Sequence, residues 1–354
     1  MNKNKIFAIG VMSGTSLDGI DLALVSFEKG NYQNFEIVFA ETISYTIQWK
    51  NTLRNAIRLS AVDLKELSIN YGKFLGDSIN QFMTKLNTKK VDFIASHGHT
   101  ILHEPAKGIT LQIGDGQTIA NKTHQKVVCD FRTQDVQLGG QGAPLVPIGD
   151  ELLFSDYEYC INLGGFANIS FKENGQRIAF DICPVNVVLN FYANQLGLEY
   201  DANGAIATSG MFHESLFHQL NSLDYFYQNP PKSLGVEWVQ KEVFSMLEAS
   251  NLAPSTIIRT YTDHIAWQIS NVISENKKVL CTGGGTYNRY LIEKMASTKK
   301  MELIIPDKNL IEFKEALIFA FLGLLRIDNQ TNCLRSVTGA KKDHSSGKIF
   351  YKNL

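Results

Sequence analysis

Residues 10–21 of the chain, GVMSGTSLDGID, place glycines, hydroxyls and two carboxylates between two apolar runs. Small residues leave backbone N–H groups uncovered, and the hydroxyls of Ser13, Thr15 and Ser16 add donors; together these wrap phosphate oxygens. Asp18 and Asp21 would repel a bare anion. Their presence argues for a divalent cation beside the phosphates, Mg²⁺ by its habit of keeping several waters and few protein ligands. The same composition also suits a tight β-turn with no ligand. A second bend, Gly164 and Gly165 followed by Asn168, could meet the same phosphate chain. A third, TGGGTYN at 282–288, lies between a strand and a helix, where close backbone approach and a helix N-terminus favour a nucleotide. The Gly-x-Gly-x-x-Gly spacing, a ribose-binding acid at the right distance and the lysine-bearing Walker pattern are all missing, which argues against a dinucleotide fold or a P-loop.

Histidines supply a competing chemistry. His97 and His99 could share one face of an extended segment with His103 close by, a possible transition-metal set; no His-Glu-x-x-His helix accompanies them, and all three serve equally as loop donors. His264, on an otherwise apolar helix, reads as a satisfied core or surface residue.

These loops need a scaffold. A chain of 354 residues with 44% apolar and 19% charged residues is expected to form two domains of an ordinary globular protein. A formal charge of −1 gives no reason to expect nucleic acid or a membrane surface as partner. Five cysteines, at 129, 160, 183, 281 and 333, show no Cys-x-x-Cys pair, so reduced thiols in a cytoplasm fit best. No apolar run nears the roughly 20 residues that span a bilayer, and the N-terminal KIFAIGVM reads as a first strand rather than a leader.

KIFAIGVM, GIDLALVSF and FEIVFAETISY form an antiparallel start. A helical spacing follows from Gln48 to about Leu86 with Asp63 as N-cap, then the buried strand of VDFIASHGHT. EYCINLGGFANISFKENGQRIAFDICP repeats the opening as strand, small-residue turn, strand, hairpin turn at ENGQ, strand: a weak internal duplication. Helices near 237–249 and 254–274, the strand before the triple glycine, the helix NRYLIEKMAS, the strand MELIIP and the long apolar helix KEALIFAFLGLLR complete the chain. YQNPPKSLG suits an exposed flap. Strand runs followed twice by helices favour a two-lobed α/β protein with a cleft between the lobes.

GVMSGTSLDGID, SHGHTILHEP, LQIGDGQ, DFRTQDVQLGGQGAPLVP, INLGGFANIS, YDANG, TGGGTYN and SVTGA occur in an order that resembles the anhydro-N-acetylmuramic acid kinases, over nearly the whole chain. The resemblance implies the fold of the actin, sugar kinase and heat-shock ATPase superfamily: α/β, two similar lobes of ribonuclease H-like type with a central nucleotide cleft. Lobe I would comprise residues 1–130 with a return at 330–354, and lobe II residues 131–329. Gly14, Thr15, Ser16, Leu17, Asp18, Gly19, Ile20 and Asp21, with Ser13, would form the first phosphate loop. Residues 163–168, with Gly164, Gly165 and Asn168, would form the second. Gly283, Gly284 and Gly285 would lie near the adenosine.

The implied reaction uses ATP and Mg²⁺ to open 1,6-anhydro-N-acetylmuramic acid with water and phosphorylate O6, giving the 6-phosphate and ADP in peptidoglycan recycling. Asp181, in FDICPVN, is the implied base, and its place after an apolar strand suits a carboxylate facing a cleft. His97, Asp130, Arg132 and Glu315 are sugar-side candidates. Arg132 could grip the lactyl carboxylate in a bidentate pair or serve a structural ion pair; Glu315 could contact sugar or merely complement a helix dipole. Ile182, Cys183 and Val185 depart from the family's Asp-Thr-Gly-Pro-Gly-Asn pattern, and Leu234 and Val236 from Lys-Ser-Thr-Gly-Arg-Glu. These departures leave room for a nucleotide-binding regulatory or scaffold homologue. Exposed apolar residues on KEALIFAFLGLLR could support a homodimer, although a buried interlobe helix explains them more plainly.

Overall fold

The computed structural model describes residues 4–14, 17–87 and 90–353. Thr15 and Ser16, both expected in the first phosphate loop, lie outside them. Along the chain run β1 (Lys5–Met12), β2 (Gly19–Glu28), β3 (Asn31–Ser44), helix α1 (Ala61–Thr84), β4 (Phe93–Ser96), β5 (His99–Glu104), β6 (Ile109–Ile113), α2 (Gly116–Thr123), β7 (Val127–Cys129) and α3 (Thr133–Gln137). Then come β8 (Tyr159–Leu163), β9 (Phe166–Glu173), β10 (Gln176–Pro184), α4 (Asn186–Gln195), α5 (Pro254–Val272), β11 (Lys278–Thr282), α6 (Arg289–Thr298), β12 (Glu302–Ile304), α7 (Lys308–Ile327) and β13 (Lys348–Phe350). The chain divides into two compact units, residues 1–154 with 313–354, and residues 155–312. Sequence places the crossings at 130/131 and 329/330; the contacts place them at 154/155 and 312/313.

In the first unit a six-stranded sheet runs β13-β7-β4-β1-β2-β3. β1 pairs antiparallel with β2 and parallel with β4, and β4 is parallel to β7. Residues 8–11 of β1 are all buried, as a central strand covered on both faces requires. β3, at the edge, alternates exposed and half-buried residues with the two-residue period of a strand that has one wet face. Gly10 is required by packing: a Cβ there would fall 1.8 Å from the Ala316 carbonyl oxygen, so only glycine brings the backbone of α7 onto β1.

In the second unit the order is β10-β9-β8-β11-β12, with β8-β9-β10 antiparallel and β8, β11 and β12 parallel. Apart from β13, added at the edge of the first sheet, both units therefore list their strands as third, second, first, fourth, fifth. The internal duplication read from the sequence is present as topology, and it is the ribonuclease H-like arrangement expected. The ENGQ hairpin is also observed, with Asn174 and Gly175 at φ 49° and 79°, the pair of positive angles a two-residue turn demands.

Three readings need correction. The single helical stretch from Gln48 breaks into Ile47–Asn55, a short turn and α1. The N-cap of α1 is Ser60, not Asp63: Ser60 Oγ accepts from the Asp63 amide at 3.2 Å and donates to its carboxylate at 2.7 Å, a reciprocal cap that places the acid inside the first turn. The apolar residues of KEALIFAFLGLLR are not exposed. Residues 316–322, 324 and 325 are at most 1% accessible, so that helix offers no apolar face for a second copy. Its backbone leaves helical geometry at Phe313 (φ −114°, ψ 15°).

Candidate active site

In the first unit the candidate residues follow the carboxyl ends of three adjacent parallel strands: Ser13 after β1, His97 after β4, and Asp130 and Arg132 after β7. Open α/β sheets gather ligands at such ends. Ser13 is buried, and its hydroxyl is engaged inward, with Tyr45 OH at 2.6 Å, His99 Nδ1 at 2.8 Å and Tyr71 OH at 3.0 Å. Tyr45 and Tyr71 also hydrogen-bond each other. Ser13 thus anchors the start of the bend, and Gly14 and residues 17–19 form its described remainder. Leu17 takes φ 62°, and its amide reaches the Gly14 carbonyl at 3.4 Å. Asp18 is exposed. Ile20 is buried in the core, so it holds the strand and offers a ligand only backbone. Asp21 pairs with Met12 and Thr42 in register, and the Thr42 hydroxyl donates to its carboxylate at 2.6 Å.

His97 Nδ1 donates to the Gly98 carbonyl at 2.9 Å, which leaves Nε2 to accept from Arg132 Nε at 3.0 Å. Burial, reinforced by the guanidinium, holds His97 well below the ordinary imidazole range. Arg132 also donates to the Gly142 carbonyl at 2.6 Å. Burial raises the carboxyl pKa of Glu315; the Arg132 charge opposes that rise and the Asp21 charge adds to it. Glu315 therefore lies within electrostatic reach of both Arg132 and Asp21. Asp130, at φ 58°, is ion-paired with Lys348 at 2.7 Å and lines a hollow of ≈ 210 Å³ with His97 and Thr133. The three histidines do not converge. His99 faces Ser13, His97 faces Arg132, and His103 is exposed beside the Thr110 hydroxyl at 3.1 Å.

In the second unit two bends adjoin because β8 and β11 run parallel in register, Asn162 opposite Thr282. A Cβ on Gly283 would fall 2.7 Å from Asn162 Oδ1 and 2.8 Å from the Leu163 carbonyl, and one on Gly285 would fall 2.7 Å from Leu163 Cβ. Gly283 holds φ 84°. Gly284 faces open space. The carbonyls of Gly164 and Gly165 accept the Asn186, Val185 and Val187 amides that open α4, tying the bend to the segment after Asp181.

Asp181 lies opposite Asn168 in the β9–β10 pairing, with a bulge just beyond it. Its Oδ1 accepts from Asn168 Nδ2 at 2.6 Å and its Oδ2 from the Leu234 amide at 2.9 Å. Each carboxylate oxygen keeps a further lone pair with which to take a proton. The Tyr225 hydroxyl donates to the Asp181 carbonyl at 2.5 Å, and Lys232 stands 4.6 Å above the Tyr225 ring and donates to the Tyr225 carbonyl. Sequence reasoning missed Tyr225, Tyr45 and Tyr71, which hold these loops; only their aromatic type hinted at them. Ile182, Cys183 and Val185 point into the core of the second unit. Leu234 reaches Asp181 through its backbone, so the side chain at 234 is not what makes that contact.

The five cysteines are free and buried, and among the described residues no helix is long and apolar enough to cross a membrane. Residues 6–352 match the sequence profile of the family described as anhydro-N-acetylmuramic acid kinase. Relatives bearing that name include a protein of Mannheimia succiniciproducens, 34% identical over 98% of this chain and 100% of its own length, and one of Sulfurimonas denitrificans, 32% identical over 97% and 99%. Among solved structures, component A of the (R)-2-hydroxyglutaryl-CoA dehydratase of Acidaminococcus fermentans aligns over 89% of this chain and 96% of its own, at 14% identity and TM-score 0.46.

Proposed function

This chain belongs to the anhydro-N-acetylmuramic acid kinase family, and from that premise we propose that Asp181 is the base of the reaction. The activity is that of a sugar kinase: it opens the 1,6-anhydro ring of N-acetylmuramic acid with water and phosphorylates O6, in cell-wall recycling. Asp181 removes a proton from water as the water oxygen bonds to C1. The C1–O6 bond breaks, and O6 takes the phosphoryl group while ADP leaves. ATP supplies that group, and a bound Mg²⁺ would offset the charge that develops on the transferring oxygens.

The observation that carries the assignment is the seating of Asp181. Its carboxylate is fixed by one side-chain and one backbone donor within β10, just before the bulge, and the next residues are buried so that only the acid projects. In the second unit Gly164, Gly165 and Asn168 would meet phosphate oxygens and residues 283–285 the adenosine. In the first unit Gly14, Asp18 and Gly19 would offer backbone N–H groups, with Leu17 shaping the bend, and Asp18 and Asp21 would hold Mg²⁺, largely through water. The residues suit that cation: Asp18 is exposed at the bend and Asp21 has the Thr42 hydroxyl to orient it. His97, Asp130, Arg132 and Glu315 would contact the sugar, with Glu315 held toward its protonated form. Buried free cysteines support a reducing, cytoplasmic setting.

Of the substitutions that suggested a non-catalytic homologue, Ile182, Cys183 and Val185 pack in the core and Leu234 meets Asp181 through its backbone, while Val236 is exposed. The test is incubation with ATP, Mg²⁺ and the anhydro sugar in ¹⁸O water. The expected product is the 6-phosphate carrying ¹⁸O at C1; a folded protein that releases no such product overturns the reading.

A further inference from the structure

Behind Arg132, three buried side chains from distant parts of the chain meet: Asp135 on α3, Cys333 and His344, whose ligand atoms all lie within 4.8 Å of one another. Cys333 and His344 face each other across an antiparallel bridge, amide to carbonyl in both directions at 3.1 and 3.2 Å, which turns their side chains to the same side. Cys333 Sγ stands 3.1 Å from Asp135 Oδ1, and His344 Nε2 stands 3.6 Å from that same oxygen. Asp135 is further fixed by the Thr338 hydroxyl on Oδ1 and the Gly142 amide on Oδ2, both at 2.7 Å.

His344 decides the chemistry. Its Nδ1 lies 3.1 Å from the Lys342 carbonyl, which only accepts, so Nδ1 carries the proton. Nε2 is then the ring atom left to meet a cation. That atom is buried and has no hydrogen-bond partner, and it faces a carboxylate oxygen. Two acceptors directed at each other in a dry interior repel unless a positive charge lies between them. An imidazole fixed in its tautomer by a backbone carbonyl is also the usual second-shell arrangement of a metal-binding histidine.

We propose that Asp135, Cys333 and His344 bind one divalent transition metal of the zinc class. In a tetrahedral site with bonds of about 2.0–2.3 Å, ligand atoms stand about 3.3–3.8 Å apart. The 3.6 Å between His344 Nε2 and Asp135 Oδ1 falls in that range, the 3.1 Å between Cys333 Sγ and Asp135 Oδ1 lies just below it, and all three atoms are within 4.8 Å of one another. Sulfur, imidazole and carboxylate together suit zinc and do not suit Mg²⁺. Binding displaces the Cys333 thiol proton to solvent and forms an M–S bond; the thiolate and the Asp135 carboxylate then balance the metal's two positive charges. The site staples the segment around the 333–344 bridge to α3. Its role is structural, separate from the Mg²⁺ that the nucleotide brings.

The experiment uses the full chain, reduced, stripped with a chelator and free of nucleotide and Mg²⁺, titrated with Co²⁺. The expected result is one Co²⁺ per chain with a thiolate-to-cobalt charge-transfer band and intense tetrahedral d–d bands, all displaced by one equivalent of Zn²⁺, and a thermal midpoint several degrees higher with zinc. Cys333→Ser should lose the charge-transfer band and His344→Gln should lose tight binding, while Cys129→Ser keeps both. The wild-type spectrum decides even if a variant fails to fold. Cobalt bound without a thiolate band, a band that survives Cys333→Ser, or no tight binding with His344 found as an imidazolium paired to Asp135 would each overturn the site.

Discussion

The bend after β1 and the bend after β8 hold the same topological place in their units, yet they are built from opposite materials. The first is long and acid-bearing, and it starts from a serine tied down by two tyrosines and a histidine. The second is two glycines whose carbonyls receive the opening amides of the next helix. The pair beneath each bend is also inverted. On β2 the acid Asp21 takes a hydrogen bond from Thr42 on β3, whereas on β9 the donor Asn168 serves the acid Asp181 on β10, both at 2.6 Å. A duplicated scaffold thus offers one acid per unit at the same sheet level. In the first unit the acid sits beside the bend, the place proposed for the cation; in the second it sits one strand out, the place proposed for the base.

The largest expected effect breaks that inversion. Asp181→Asn should lower kcat about 10³-fold, within the span general-base removal covers, and leave ADP affinity by calorimetry near wild type. Asp21→Asn should instead raise the Mg²⁺ concentration needed for half-maximal rate. If the two variants exchange these signatures, the roles are assigned to the wrong strands.

Next comes the glycine contrast within the second unit. Gly283→Ala forces a Cβ onto the Leu163 carbonyl at positive φ, and should cost about 1–3 kcal/mol in chemical denaturation. Gly284→Ala, which meets nothing, should stay within about 0.5 kcal/mol of wild type. Equal losses would mean that the two bends do not adjoin as described.

In the first unit, Ser13→Ala strips one partner from each of three buried groups and should cost about 1–3 kcal/mol. Acid should act on the same cluster. Burial lowers His99 from 6.5 to about 4, so the unfolded chain binds its proton first. The stability His99 contributes by staying neutral is complete above pH 6.5 and declines as pH falls toward 4, by at most about 1.4 kcal/mol per pH unit. His99→Gln should flatten that part of the stability–pH curve. His264 in the second unit, lowered to about 3 by burial, obeys the same rule, so His264→Gln should remove a further share. An unchanged slope in both variants would show that neither ring stays neutral in the fold.

The strands, the Asn174–Gly175 turn and both bends were legible because their signals are local: period, glycine, positive φ. The sequence put Asp181 after an apolar strand; the structure puts it inside β10, which continues to Pro184 past a bulge. What stayed hidden depends on partners far along the chain. Ser13 has the composition of a phosphate donor, and only the approach of residues 45, 71 and 99 shows its hydroxyl already engaged. Arg132 and His97 gave no sign in sequence that each satisfies the other. Cys333 carried no metal spacing, because its partners are an acid 198 residues earlier and a histidine set opposite it by a single bridge.

The smallest effect concerns the position that first suggested lost chemistry. Leu234 departs from the family pattern in its side chain but contributes to Asp181 through its amide. Leu234→Thr restores the hydroxyl without touching that N–H, and a retained backbone bond keeps its worth of about 1 kcal/mol. Single-turnover rates should therefore change by less than about twofold, far below the Asp181→Asn loss. A tenfold rise would show that a hydroxyl at 234 does catalytic work the amide alone does not replace, and the second unit's acid would then depend on side-chain donors from both flanks.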